Sequence, residues 1–135
     1  MDIVHTEEVH PKRIEDRLLS WLIAGEGAEI AAGATRSECC ASCLVKFEPG
    51  ASAKPPHSHA DCEEIIYILE GTGEMRLAGG EAKPIKQGDL LVMRRKEIHL
   101  LANTGRTVLK ALCFYSSVTD NTKYDYYEMD AIAAH

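Results

Sequence analysis

The sequence predicts an all-β fold, either a sandwich or a barrel, from about residue 40 onward. Short apolar segments such as EIIYIL (64–69) and LLVM (90–93) are separated by turn signals such as EGTG and KQGD, and this spacing is typical of antiparallel strands. Gly79 and Gly80 lie between two partly alternating segments and predict a two-residue hairpin loop, because glycine accepts the positive φ that such turns require. At 135 residues, the chain is expected to form one domain, residues 1–135.

The first third of the chain permits two interpretations. The stretch 11–24 fits a helix, because Pro11 suits a first helical turn and an apolar stripe follows it at helical spacing. The members of that stripe are Ile14, Leu18, Trp21 and Leu22. The segment LLSWLIAG (18–25) fits a buried strand equally well. The C-terminal stretch YDYYEMDAIAAH is expected to be a covering tail or a short helix.

The segment EIIYIL has apolar residues on both faces of the predicted strand. Residues 64, 66 and 68 share one face, and residues 65, 67 and 69 share the other. Both faces are therefore expected to be buried. The second face would pack either on another sheet of the same chain or on a second subunit, which predicts a homodimer as one of two alternatives.

Composition excludes several classes of function. A formal charge of -6 disfavours binding to nucleic acid or to anionic lipid, and no apolar run approaches the roughly 18 residues of a membrane span. The charged N-terminal stretch does not fit a secretory signal, so a cytoplasmic protein is expected. The five cysteines form an odd number and are expected to be reduced thiols. The expected partner is a small-molecule substrate or ligand.

The stretch HSHADCEE (57–64) concentrates groups that bind metals. His57 and His59 are two residues apart, so both imidazoles project to one side of an extended strand. Glu64 shares the parity of the apolar interior face, and His99 supplies a third imidazole from a later segment. These four residues are the predicted ligands of one divalent transition metal ion, because imidazole and carboxylate together suit Fe, Mn, Ni, Co, Cu or Zn.

Two motifs in this chain resemble those of the cupins. GASAKPPHSHADCEEIIYILEG (50–71) resembles the first motif, with four residues between His59 and Glu64 and six between Glu64 and Gly71, whereas Glu63 fits this spacing less well. GDLLVMRRKEIHLLAN (88–103) has the glycine, histidine and asparagine of the second motif at its offsets. Arg94 and Lys96 replace the usual proline and glycine. Lys96 is therefore expected to adopt a conformation that glycine would adopt at lower cost.

The resemblance implies a double-stranded β-helix, the jelly-roll barrel of cupins, with its core at about 41–116. The segments 1–38 and 117–135 would then be additional strands or covering segments. Cupins include dioxygenases, isomerases, lyases and binding modules, so the fold alone leaves the chemistry open. An Fe(II)-dependent dioxygenase is the first functional expectation. The alternatives are a metal-dependent isomerase or lyase acting on a sugar or keto acid, and a ligand-binding module without turnover.

Three further residues are candidates for substrate binding. Arg94 belongs to a basic run that could attract an anionic substrate, although such runs are usually solvated turns. Cys62 lies between two predicted ligands, and a packed structural thiol is its alternative. Tyr115 could supply a phenol to the site, with core packing as its alternative.

Overall fold

The structure is a computed structural model that describes residues 1–15, 17–26, 33–117 and 124–134, and it is mostly β-strand in these ranges. Residues 16, 27–32, 118–123 and 135, which belong to the two expected flanking segments, lie outside the described residues. The strands within the described ranges are β1 (Lys12–Glu15), β2 (Leu18–Gly25), β3 (Thr35–Arg36), β4 (Ala41–Phe47), β5 (His57–His59), β6 (Glu64–Glu70), β7 (Thr72–Leu77), β8 (Ala82–Lys86), β9 (Leu90–Met93), β10 (His99–Ala102), β11 (Leu109–Tyr115) and β12 (Tyr124–Tyr126).

The strands form two sheets, which confirms the all-β jelly-roll expectation. In the described part of the chain, the larger sheet has the order β1-β2-β4-β11-β6-β9 with β3 beside β2, and the smaller sheet has the order β12-β5-β10-β7-β8. Neighbouring strands are antiparallel except for β2 and β3. The buried core contains Phe47 and Ile68 from the larger sheet and Met75 and Leu101 from the smaller one. The two sheets therefore pack as layers around one apolar interior.

Short 3-10 turns lie near both ends of the described chain, and the second falls in the C-terminal tail, where a short helix was one of two expectations. They span Thr6–Glu8 near the N-terminus and Met129–Ile132 near the C-terminus. None of the helical segments in the described ranges is long and apolar enough to span a membrane.

Residues 12–15 and 18–24 are strand, so the helical interpretation of the stretch 11–24 is wrong. Period-two alternation places Leu18 and Leu22 on the side of an interior cavity, while Trp21 takes the opposite side and pairs in register with Leu44 of β4. The apparent helical stripe thus combined residues of both strand faces. Pairing with β4 overrides the local pattern, because most of the stability of a short element comes from its tertiary contacts.

One face of β6 is buried as expected; for the other face, no second sheet among the described residues covers it, and packing on a second subunit stays a prediction. Glu64, Ile66 and Ile68 are 4 %, 3 % and 0 % exposed and face the interior. On the opposite face Ile65 and Tyr67 are 38 % and 41 % exposed, so the described residues of the chain leave that face uncovered. Apolar neighbours on β9 and β11 extend this exposed surface, which we call the outer face; its exposed members are Ile65, Tyr67, Leu69, Leu90, Val92 and Phe114.

The predicted glycine hairpin joins β7 to β8, although its loop is longer than expected. The loop is a 3-10 turn over Ala78–Gly80, closed by a hydrogen bond from the Leu77 amide to the Glu81 carbonyl at 2.8 Å. Both glycines have positive φ, 79° and 86°. The glycines thus adopt the positive φ that the sequence predicts, but the loop between β7 and β8 has three residues where two were expected.

Candidate metal centre

Three histidines converge inside the barrel. His57 and His59 lie on β5, and His99 begins β10 directly opposite His57 in the antiparallel register. One nitrogen from each imidazole lies within 4.8 Å of the others. Such separations suit ligands of a common ion, since atoms bound at about 2.1 Å lie roughly 3 to 4 Å apart around it. The structure therefore brings together the three histidines predicted from the sequence, as a group that could hold a metal ion.

Glu64 approaches the same point from the other sheet. It begins β6 and is buried, and its Oε1 lies 3.3 Å from His99 Nε2 and 3.6 Å from His59 Nε2. Neither contact has hydrogen-bond geometry, since both imidazole nitrogens lack a hydrogen-bond partner. Glu64 thus lies beside His59 and His99, whereas the group of ligand atoms within 4.8 Å of one another consists of the three histidines. Glu63 points the other way and pairs at the surface with Arg94.

Backbone carbonyls orient two of the imidazoles. His57 Nδ1 lies 2.9 Å from the carbonyl oxygen of Pro55, and His99 Nδ1 lies 2.9 Å from that of Glu97. Because a carbonyl only accepts, each Nδ1 must carry the proton and donate it. Each Nε2 then keeps its lone pair for a metal ion, which is the usual arrangement of metal-binding histidines.

Unpartnered nitrogens show that this site fits a metal ion. Nδ1 and Nε2 of His59 and Nε2 of His99 are buried and have no hydrogen-bond partner among the described residues. Leaving a buried polar atom without a partner costs about 1 to 3 kcal/mol, so such atoms are rare in folded proteins. An ion bound between the Nε2 atoms and the Glu64 carboxylate would satisfy two of the three and neutralise the buried negative charge.

The electrostatics of the metal-free site keep His57 neutral. Burial and the nearby His99 lower the pKa of His57 to about 4, so this imidazole is a ready ligand at neutral pH. Burial alone would raise the pKa of Glu64, but its close contacts with His59 and His99 outweigh burial and lower it. Burial opposes the charge on His99, and Glu64 outweighs it and raises the pKa of that imidazole.

The turn before His99 has the strained residue that the altered motif predicts. Lys96 has φ 65° and is alone among the described non-glycine residues in having a positive φ. Its amide donates a hydrogen bond to the His59 carbonyl at 2.8 Å. The Arg94 amide also donates to a carboxylate oxygen of Glu97 at 3.0 Å. The first bond attaches the turn to β5 and the second closes the turn itself, so together they hold His99 beside the other two histidines.

Asn103, the last residue of the second motif, has a structural position. It is buried, and its Nδ2 donates to the carbonyls of Phe47 and Thr107 at 3.0 and 2.9 Å. Its Oδ1 accepts a hydrogen bond from the Gly105 amide at 3.0 Å. The side chain therefore ties the loop after β10 to the end of β4.

A cavity of about 520 Å³ adjoins the histidines. His57, Glu64 and His99 form part of its wall, and the remaining wall is largely apolar. Lys12, Lys54 and Tyr126 also line it and are exposed, so the cavity opens to solvent on their side. Its volume lies in the range of small-molecule sites.

Two tyrosines lie beside the histidines inside this cavity. Tyr115 is 7 % exposed, with its ring centroid 5.5 Å from that of His59, and burial followed by the Glu64 charge raises the pKa of its phenol well above the usual range. Tyr124 stacks on His57 at 5.4 Å and meets His59 edge-on at 4.3 Å, because β12 pairs with β5. No pattern in the sequence places Tyr124 at the site, since this pairing joins segments far apart in the chain.

Arg94 and Cys62 lie elsewhere. The Arg94 side chain is 72 % exposed and its Nη1 donates to Glu63 Oε2 at 3.1 Å. Cys62 is buried in the apolar core and is not part of the cavity wall. Of the three candidates for substrate binding, Tyr115 alone lines the cavity in the described part of the structure.

Comparison with known proteins identifies the family. Residues 43–115, more than half of the chain, match the family model described as the cupin domain. Among curated proteins, an uncharacterised protein of Methanocaldococcus jannaschii is 44 % identical over 57 residues, which cover 42 % of this chain and 45 % of that protein. The chain spans less than half the length of the curated relatives it matches.

Solved structures share the fold over nearly the whole chain. A predicted oxalate decarboxylase from Thermotoga maritima is 27 % identical with a TM-score of 0.71, covering 86 % of this chain and 99 % of that one. The polyketide cyclase RemF from Streptomyces resistomycificus has a TM-score of 0.75 at 18 % identity, covering 98 % and 90 % of the two chains, and this likeness concerns the fold alone. The jelly-roll architecture, the converging histidines and the match over residues 43–115 together show that the chain belongs to the cupin domain family.

Proposed function

We propose that His57, His59, Glu64 and His99 hold one divalent transition metal ion at the centre of a small-molecule enzyme. The observation that carries the proposal is the set of buried imidazole nitrogens without partners, gathered around the Glu64 carboxylate. Fe(II) is the proposed ion, although Mn, Ni, Co, Cu and Zn suit the same ligands.

The proposed reaction class is that of a mononuclear dioxygenase acting on a small organic molecule. Fe(II) in such a site would supply Lewis acidity and the electrons that make O2 reactive. The chain's own contribution is a largely apolar cavity beside His57, Glu64 and His99, which limits the access of water to that side. The rings of Tyr115 and Tyr124 also lie beside the histidines. Their phenols suit hydrogen bonding to substrate oxygens, and the raised pKa of Tyr115 keeps its phenol protonated, which disfavours proton abstraction by it.

A metal-dependent decarboxylase or another lyase is the second candidate. The identity of 27 % to the predicted oxalate decarboxylase of Thermotoga maritima, over 99 % of that chain, favours it. A metal ion in the same site would then polarise a carboxylate or carbonyl group of the substrate. An isomerase acting on a sugar or keto acid would use the same polarisation, and a module that binds a ligand without turnover is the non-enzymatic alternative.

Oxygen uptake measured together with product analysis separates these candidates. Protein reconstituted anaerobically with Fe(II) is mixed with a panel of catechols, 2-oxo acids and dicarboxylates, and O2 consumption, CO2 release and substrate loss are recorded. The proposal predicts O2 consumption in step with substrate loss, abolished in His99→Ala and retained in His10→Ala, which removes an exposed histidine. CO2 release without O2 consumption would favour the decarboxylase. Metal-dependent stability with no turnover of any substrate would favour the binding module.

The proposed assembly is a homodimer in which the outer face of one chain packs on that of a second copy. Supporting this, six large apolar side chains of that face are between 38 % and 60 % exposed, and a contiguous exposed apolar surface of this kind commonly marks an interface. Light scattering coupled to gel filtration tests the assembly. A dimer that Tyr67→Glu converts to monomer is the expected result, and a wild-type monomer at micromolar concentration would contradict it.

A further inference from the structure

The cavity beside the proposed metal centre has walls of unequal chemistry. One part of the wall is formed by His57, Glu64 and His99, which lie close together. Apolar side chains from both sheets form most of the remaining wall, among them Leu18, Leu22, Val45, Phe47, Ile66 and Leu101. A molecule that fills this cavity must therefore be polar where it meets the histidines and apolar over most of its remaining surface.

The charges of the wall also constrain the occupant. Among the cavity-lining residues that the structure describes, the cationic side chains are Lys12 and Lys54, and both are exposed. The single buried charge of the wall is the carboxylate of Glu64, which would repel a second anionic group not neutralised by the ion. A substrate with two carboxylates packed beside Glu64 would thus meet too little positive charge.

The volume points in the same direction. At about 30 Å³ per water molecule, a cavity of about 520 Å³ corresponds to roughly 17 waters. A two-carbon dicarboxylate would displace only a small part of that volume and would leave the apolar wall in contact with water. Burial of apolar surface is the main source of affinity in such a cavity, so a substrate that leaves this wall wet would lose most of the available binding free energy.

We propose that the site takes an elongated substrate with a metal-chelating pair of oxygens at one end and an apolar body of about 10 to 20 non-hydrogen atoms. This inference rests on the proposed metal centre and specifies its substrate class. The chelating end would lie at His57, Glu64 and His99, and the apolar body would lie along Leu22, Val45 and the neighbouring wall. Small dicarboxylates such as oxalate would be poor substrates.

A series of hydroxamates with one chelating group and tails of increasing length tests the inference. Co(II) alone is first titrated into the metal-free protein, and its visible spectrum reports whether the ion binds. Acetohydroxamate, hexanohydroxamate and octanohydroxamate, with oxalate for comparison, are then titrated calorimetrically into the Co(II)-loaded and the metal-free protein. The inference predicts that affinity rises about fourfold per added methylene in the loaded protein, with a weaker rise in the metal-free protein, and that oxalate binds no more tightly than acetohydroxamate.

The two failures are distinguishable. If Co(II) does not bind, the proposed metal centre is wrong, and a rise with tail length in the metal-free protein would still support the apolar cavity. If Co(II) binds but affinity is independent of tail length, or if oxalate binds most tightly, the inference is overturned and the metal centre stands.

A pair of variants on β4 locates the tail. Val45→Phe adds bulk on the cavity side, whereas Leu44→Phe adds it on the opposite side of the same strand. Val45→Phe is expected to weaken the binding of octanohydroxamate at least tenfold and that of acetohydroxamate less than twofold. Leu44→Phe is expected to change the affinity for neither ligand. If Val45→Phe weakened the binding of both ligands equally, the assigned path of the tail would be contradicted. The hydroxamate series with the wild-type protein tests the inference even if a variant fails to fold.

Discussion

Tyr124 is expected to set the affinity of the metal site through its ring and not through its hydroxyl group. The ring stacks on His57 with an interplanar angle of 12° and a centroid distance of 5.4 Å, and it meets His59 edge-on at 4.3 Å. Both contacts restrict how the imidazoles can rotate. Tyr124→Ala removes both contacts. Part of the metal-binding free energy must then be used to order the two imidazoles, which lowers the affinity for the metal.

The magnitude follows from these two contacts. An aromatic pair contributes about 0.5 to 1.5 kcal/mol beyond the area it buries, so losing both costs about 1 to 3 kcal/mol, or roughly fivefold to 150-fold in metal affinity. Mutation of groups that orient metal ligands typically costs about 10- to 100-fold, which lies within this range. Tyr124→Phe keeps the ring and is expected to bind within about threefold of wild type.

Competition between the protein and a chromophoric chelator for Co(II) measures these affinities. The metal-free variants are compared by thermal unfolding at the same time, so that a loss of folding is not read as a loss of affinity. Wild-type affinity in Tyr124→Ala would refute the positioning role of the ring. Equal losses in Tyr124→Ala and Tyr124→Phe would assign the effect to the hydroxyl group.

Three further predictions concern stability and pH. Asn103→Ala removes three hydrogen bonds and should lower the free energy of unfolding by about 3 kcal/mol in urea; a loss below about 1 kcal/mol, the value of a single such bond, would contradict its bridging role. Lys96→Gly relieves a positive φ and should raise that free energy by up to about 1 kcal/mol, and a large loss would show that the side chain itself is needed. Metal affinity should fall by up to about tenfold per pH unit as the pH drops through the raised pKa of His99, because a proton competes with the metal for that imidazole. The pKa of His57 is lowered to about 4, so protonation of His57 should weaken metal binding only at lower pH. A metal affinity that does not change between pH 6 and pH 8 would contradict this prediction.

The features that were predictable from sequence are those that local spacing determines. Parity alone places Glu64 in the interior with Ile66 and Ile68, because successive strand side chains alternate between faces. The positive φ of Lys96 was predictable because a motif position that usually holds glycine holds lysine here. The convergence of His57 and His99 came from the order and spacing of two motifs, since nothing local to either histidine indicates the other.

The features that were not predictable depend on pairing between distant segments. Leu18 and Leu22 satisfy a helical stripe and a strand equally, and only the register with β4 decides between them. Tyr124 lies beside His59 through the pairing of β12 with β5, which leaves no pattern in the tail sequence. The sequence could not show that the outer face of β6 is left uncovered by the chain. The pattern of apolar residues on a strand face is the same whether the chain itself or a partner covers that face.

The most direct test of the account is the metal content of protein purified without added metal. Elemental analysis of the wild type, His99→Ala and the control His10→Ala should find about one equivalent of a single transition metal in the wild type and the control, and far less in His99→Ala. Equal occupancy in all three proteins, or no transition metal in a wild type that also fails to take up Fe(II) or Co(II), would contradict a metal centre built on His57, His59, Glu64 and His99.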